Sequence, residues 1–200
     1  MMNNEALILI ETQNEWLASD GKLRGYIEDE QPFEQSVKNL ERLLADAREK
    51  NRNVVHVGLQ FQSGYPEMGQ GSLGLRNAIP NAGTFPRDGS GSNFYESLAP
   101  ADNEFVVSGR VGSSAFAGSN LDVYLRNNNI DTLYLTGYAM HVCVESTLRE
   151  AHDRGYNTIL ISDASAAFTA EQKNYVLNHV VPHFGAHIAT DEFINDKVNI

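Results

Sequence analysis

A single cysteine stands in this chain of 200 residues, and its position suits a working thiol. Cys143 comes six residues after Gly137, which closes the apolar run TLYLTG, and it opens a helical pattern in YAMHVCVESTLREAHDRGY. A thiol near a helix start meets unpaired backbone N–H groups and the helix dipole, which favour an anion and depress its pKa. The same N–H groups can double as an oxyanion hole. Position alone fits equally well a small buried apolar residue, as lone cysteines often are.

Two further polar residues follow apolar runs. Glu11 ends LILIETQNEW and Arg110 follows EFVVS in VVSGRVGSSAF. Each also has a plainer reading, a solvated strand end for Glu11 and a surface ion pair for Arg110. Ligands in open α/β sheets bind beyond the carboxyl ends of the strands, so these ends are where chemistry belongs. If the first, third and fourth strands are spatial neighbours, a carboxylate, a guanidinium and a thiol converge. The carboxylate then takes the thiol proton, the cation stabilises carboxylate and thiolate, and sulfur attacks an electrophilic carbon.

The elements that would position these groups can be read from periodicity. ALILI (6–10), NVVHVGL (53–59), EFVVS (104–108), TLYLTG (132–137) and NTILIS (157–162) are apolar on nearly every residue, with AHIAT (186–190) a weaker sixth. Such runs suit strands buried on both faces, the habit of parallel sheets. Between them, Val37, Leu40, Leu44 and Ala47 make one stripe on a charged helix over 33–50. Leu121, Tyr124 and Leu125 mark a second helix with Ser119 as N-cap, and Val144, Leu148 and Ala151 a third ended by Gly155. Thr169 and Gln172 have capping-box spacing. The alternation predicts an α/β domain with a mostly parallel six-stranded sheet, a single domain over 1–200. Residues 61–103 show neither period and are rich in Gly, Pro, Asn and Ser, which predicts a lid, a binding loop or a subunit contact.

Composition removes other classes. A formal charge of −11 and a pI near 4.9 oppose phosphate-backbone binding, so nucleic acid is not an expected partner. The longest apolar runs, about six residues, fall far short of a bilayer span, so no membrane association is expected. One thiol without a CxxC pair, and no secretory-type segment at the start, predict a cytoplasmic protein.

The residues around these three groups resemble a known family. ALILIETQNEW is similar to the opening strand of the isochorismatase-like cysteine hydrolases, an apolar run followed by Asp-x-Gln-Asn-Asp-Phe. GRVGSSAFAGSNLDVYLR resembles their Lys-x-x-x-Ser-x-Phe-x-Gly-Thr-x-Leu segment, and LYLTGYAMHVCVESTLREAHDRGYNTILISDA the segment carrying their nucleophile. GSNFYESLAP (91–100) is similar to the stretch before their third strand, and the match runs in order from Ala6 to Ala164. The resemblance implies a Rossmann-like three-layer α/β/α sandwich and a triad of Asp, Lys and Cys. The family's nicotinamidases and carbamoyl-sarcosine amidases cleave C–N bonds, and its isochorismatases cleave a vinyl ether. Carried over, Cys143 falls on the nucleophile, Glu11 on the carboxylate and Arg110 on the lysine. A cis peptide is implied at Tyr138–Ala139, aiming the Ala139 and Cys143 amides at an oxyanion, and so is a homodimer or homotetramer acting on a small molecule.

Two of the three triad positions depart from the family pattern while keeping their charge. Glu is one methylene longer than Asp, and misplacement by about an ångström costs on the order of a hundredfold unless compensated. Arg stays protonated and binds carboxylates bidentately, but it cannot shuttle a proton. A second reading is therefore a binding or scaffold protein that retains the pocket. Nicotinamidases of the family hold a metal through Asp-x-His after the second strand; VVHVGLQFQSGYPE lacks that motif, so no metal or other cofactor is expected, and His56 reads as packed or hydrogen-bonded. Trp16, Phe116 and Tyr138 flank the triad positions as pocket or core residues, and His141 is placed to orient substrate or to face solvent.

Overall fold

The structure is a computed structural model describing residues 4–198. Six strands, β1 (Glu5–Ile10), β2 (Asn53–Val57), β3 (Phe105–Val106), β4 (Thr132–Gly137), β5 (Asn157–Ser165) and β6 (Ala186–Ile188), form one parallel sheet in the order β3-β2-β1-β4-β5-β6. Sequence order reverses beside β1, so β1 and β4 are central neighbours and their carboxyl ends face the same crevice.

The unbroken apolarity of the strands has a direct cause. In β1, Ala6, Ile8 and Ile10 enter one core and Leu7 and Leu9 the other, because successive side chains point to opposite faces. Among the described residues there are eight helices: α1 (Asn14–Leu17), α2 (Glu30–Glu49), α3 (Leu75–Ala82), α4 (Leu121–Asn127), α5 (Glu145–Asp153), α6 (Ala170–Tyr175), α7 (Val181–Phe184) and α8 (Thr190–Ile194). Helix α2 buries Phe33, Leu40, Leu43, Leu44 and Ala47 with Leu7 and Leu9, and α5 buries Leu148 and Ala151 on the opposite face. The sandwich is thus three layers.

Local signals in the sequence are realised with adjustments. Helix α2 starts at Glu30, three residues before the predicted start, since Pro32 is tolerated in a first turn. Thr169 and Gln172 form the capping box of α6, and Gly155 leaves α5 with φ +86°. The N-cap of α4 is Asn120, not Ser119; the Ser119 hydroxyl still accepts the Leu121 amide, 3.2 Å away. Residues 61–103 are less irregular than expected, for they contain α3. Its apolar residues Leu75, Ala78, Ile79 and Ala82 have helical spacing, and Gly83 ends it with φ +63°. Pro80 and the flanking glycines obscure that period.

Candidate active site

The crevice at the carboxyl ends of β1 and β4 opens into a cavity of about 580 Å³ whose lining includes Glu11, Ala139 and Cys143. Two close approaches build its floor. Gly137, at φ +109°, ends β4 against β1, and a Cβ there would meet the Ile10 carbonyl oxygen at 1.9 Å. Glycine is required for β4 to turn at this point. The Tyr138–Ala139 peptide that follows is cis, and a π turn (Met140–Val144) then carries Cys143 into α5. Glu11 itself sits at φ +52°, its amide 2.7 Å from the Val57 carbonyl oxygen.

Arg110 reaches Glu11 by an unexpected route. Strand β3 lies at the sheet edge with β2 between it and β1, so the assumed adjacency of the first and third strands is incorrect. The loop after β3 closes the gap. Arg110 Nη2 donates to Glu11 Oε1 at 2.7 Å, and both side chains are 1% exposed. The guanidinium is held from behind by loop carbonyls: Nε donates to Gly112 and Ser114, and Nη2 to Ser113 at 2.6 Å. Among the described residues Nη1 is buried without an acceptor. Burial alone would lower the pKa of Arg110, but its interactions with Glu11 and, second, with Cys143 outweigh burial and raise it.

The second oxygen of Glu11 is also occupied, since Trp16 Nε1 donates to Oε2 at 2.9 Å. The acid is therefore gripped on both oxygens by charge-assisted hydrogen bonds, which fixes the longer side chain. Cys143 interacts with both Glu11 and Arg110. Burial pushes its thiol well above the ordinary range, Glu11 adds to that, and Arg110 opposes it. This differs from the depressed pKa expected of a helix start: Cys143 lies in the π turn before α5, buried and beside a carboxyl group, and both effects raise a thiol's pKa. The site thus sets the Cys143 thiol beside the Glu11 carboxyl group and the Arg110 guanidinium.

The remaining candidates separate cleanly. Trp16 lines the cavity and orients Glu11. Ala139 also lines it, and among the described residues its amide meets no acceptor. Tyr138 and Phe116 do not line it, which corrects their reading as pocket residues. Tyr138 is fully buried against Phe33 with its hydroxyl 2.9 Å from Ser36 Oγ, and Phe116 stacks on Tyr156 in the opposite core. His141 is half-buried with its ring edge against Phe168, 4.5 Å between centroids, and lies outside the cavity lining.

His56 is buried in β2, its Nε2 2.8 Å from Glu104. Among the described residues no three His, Cys, Asp or Glu side chains gather into a metal-ligand set. The residues present do not fit the metal of the nicotinamidases, since among the described residues His56 is buried against Glu104 with no second histidine beside it.

Sequence reasoning missed Gln13 and Glu15. Gln13 donates to the Leu59 and Ser92 carbonyls and accepts the Leu59 amide at 2.9 Å, while Glu15 accepts the amides of Phe85 and Lys22. Both are buried, and they pin residues 59–92 to the turn that carries Glu11. The signal was their polarity inside an otherwise apolar stretch, which demands internal partners.

Known proteins are similar to this chain in sequence and fold. The Isochorismatase domain model matches residues 5–192. An uncharacterized isochorismatase family protein of Bacillus subtilis is 32% identical over 170 residues, 82% of this chain and 85% of the relative. A ureidoacrylate amidohydrolase of Variovorax paradoxus is 31% identical over 207 residues, 96% of this chain and 81% of the relative. A cysteine hydrolase of Pseudomonas syringae pv. phaseolicola superposes with a TM-score of 0.82 at 25% identity, covering 96% of this chain and 91% of the other. By its fold and by the domain it matches over nearly its whole length, this chain belongs to the isochorismatase family of hydrolases.

Proposed function

We propose that the protein is a cysteine-dependent hydrolase that cleaves a C–N bond of a small amide, imide or carbamoyl compound through a thioester. The observation that carries this reading is the Glu11 carboxyl group, held on both oxygens, beside the Cys143 thiol. Glu11 removes the Cys143 proton as Sγ attacks the carbonyl carbon, and the oxyanion forms against the amides of Ala139 and Cys143. The C–N bond then breaks as the Glu11 carboxyl returns the proton to the leaving nitrogen. Water, losing a proton to Glu11, attacks the thioester, and the departing thiolate regains its proton from Glu11. Arg110 keeps its charge throughout. It holds Glu11 Oε1 and lowers the energy of the thiolate, a role that needs a fixed cation and no proton transfer.

Relatives support the bond type. The family includes a ureidoacrylate amidohydrolase, and an N-carbamoylsarcosine amidase of Arthrobacter sp. is 29% identical over 79% of this chain. We propose further that the protein is cytoplasmic, which its lone cysteine supports, and a homodimer or homotetramer, which its resemblance to the family supports. A turnover screen over small amides, imides and carbamoyl compounds, with a vinyl ether as comparison, run beside Cys143→Ala, tests the proposal. Turnover of a C–N substrate that disappears in Cys143→Ala supports it; turnover that persists in the variant, or of the vinyl ether alone, refutes it.

The exchanged acid and base favour one second reading, a binding protein that keeps the pocket. If Glu11→Asp with Arg110→Lys hydrolyses simple amides while the parent turns over none, that second reading replaces the first.

A further inference from the structure

We infer that the substrate carries an extended apolar group, an alkyl chain or an aromatic ring, next to its scissile carbonyl, and that helix α3 covers this group. The inference rests on the hydrolase reading for the bond broken, but its own support is the chemistry of the wall. Among the described residues the charged ones lining the cavity are Glu11 and Arg76. Glu11 has both oxygens engaged by Trp16 and Arg110, and Arg76 is exposed on α3. The deep wall is Trp16, Leu59, Phe61, Met68 and Phe85, all buried. A polar or ionic substrate body placed against them would give up its hydration with few partners to replace it.

Helix α3 supplies the outer wall through Leu75, Ala78, Ile79 and Ala82, which share one face. That face is only partly covered by the protein: Leu75 is 43% exposed and Leu73, just before the helix, is 82% exposed. The segment runs between Gly69, Gly74 and Gly83, each at positive φ near 60°. An apolar group reaching from Cys143 toward α3 covers this surface. A cavity of about 580 Å³ has room for far more than a carboxamide head, and small-molecule sites of this size are mostly apolar with a few polar anchors.

The test is a homologous series: acetamide, butyramide, hexanamide and benzamide, with N-carbamoylglycine as the polar comparison. Turnover is followed on the parent enzyme, and binding of the same compounds to Cys143→Ser is followed by calorimetry. Both kcat/KM and affinity are expected to rise about three- to fourfold per methylene up to hexanamide, with N-carbamoylglycine at least tenfold below benzamide. Leu75→Ser with Ile79→Ser is expected to flatten the chain-length slope, and because neither side chain is buried the double variant keeps its fold. A flat or falling series, a preference for N-carbamoylglycine, or no measurable binding at any chain length overturns the inference. Loss of the hydrolase reading looks different. If no compound is turned over yet affinity still climbs with chain length, the apolar subsite stands and only the chemistry is wrong.

Discussion

Arg110 Nη2 and Glu11 Oε1 lie 2.7 Å apart across 99 residues of sequence, in a pair that is almost wholly excluded from solvent. Removing one member of such a pair leaves the other charged and uncompensated, which costs about 3–5 kcal/mol. Arg110→Leu is therefore expected to lower unfolding free energy by about that amount in urea titrations, and to abolish turnover. Arg110→Lys keeps the charge but cannot hold Glu11 and the three loop carbonyls together, so its stability is expected to fall between the two. A stability for Arg110→Leu equal to the parent's would contradict a fixed-charge role.

Trp16 offers a gentler perturbation of the same carboxylate. Trp16→Phe keeps the ring in the cavity wall and deletes the Nε1 hydrogen to Glu11 Oε2. Hydrogen bonds to charged groups contribute about 1.5–3 kcal/mol. The variant is expected to lose about ten- to a hundredfold in kcat with little change in KM. A change confined to KM would assign Trp16 to substrate contact alone.

Much of this was legible in the sequence, and the failures have physical causes. Leu7 to Ile10 announce a doubly buried strand, and Gly155 and Thr169 mark helix ends, because these are local rules of side-chain alternation and capping. Arg110 could be suspected, but its route could not, since strand order is set by long-range pairing and the reach across β2 belongs to a loop. Tyr138 and Phe116 misled because proximity to a key residue in sequence does not say which face a side chain takes; one hydrogen bond to Ser36 and one stack on Tyr156 decided it. The exchange of Asp for Glu looked costly until both oxygens were seen to be held.

Glu15 ties the cavity wall to the turn that carries Glu11. Glu15→Ala leaves the buried Phe85 amide without an acceptor, a penalty of about 1–3 kcal/mol. It also frees residues 84–91, where Gly91 packs so closely that a Cβ would lie 2.2 Å from Glu15 Oε1. The expected outcome is a lower Tm together with a raised KM, as Phe85 and Thr84 line the cavity. A lower Tm with unaltered KM would show that the loop keeps its place without this anchor.

Stability should fall in acid for a reason outside the site. Burial holds His56 below its ordinary 6.5, so the unfolded chain takes up a proton that the folded chain refuses, and stability declines as pH falls through 6.5. Burial alone would raise Glu104, but hydrogen bonds from Arg48, the Ala101 amide and His56 hold it at about 2 against an ordinary 4.5. Its contribution is complete above 4.5 and is lost as pH falls toward 2. Urea unfolding between pH 7 and 3 is expected to show both declines, and His56→Gln to flatten the upper one. A pH-independent upper limb in the parent would rule out a buried neutral His56.

If Glu11 takes the proton of Cys143, then Glu11→Gln removes the acceptor while keeping the side chain's size, and amide turnover by that variant is expected to fall by about a hundredfold or more. The kcat of Glu11→Gln is measured beside the parent's, with alkylation of Cys143 by iodoacetamide showing that the thiol is still reachable. Lost turnover with a thiol that still alkylates is the predicted result. Turnover within a few fold of the parent's would contradict a proton-accepting role for Glu11.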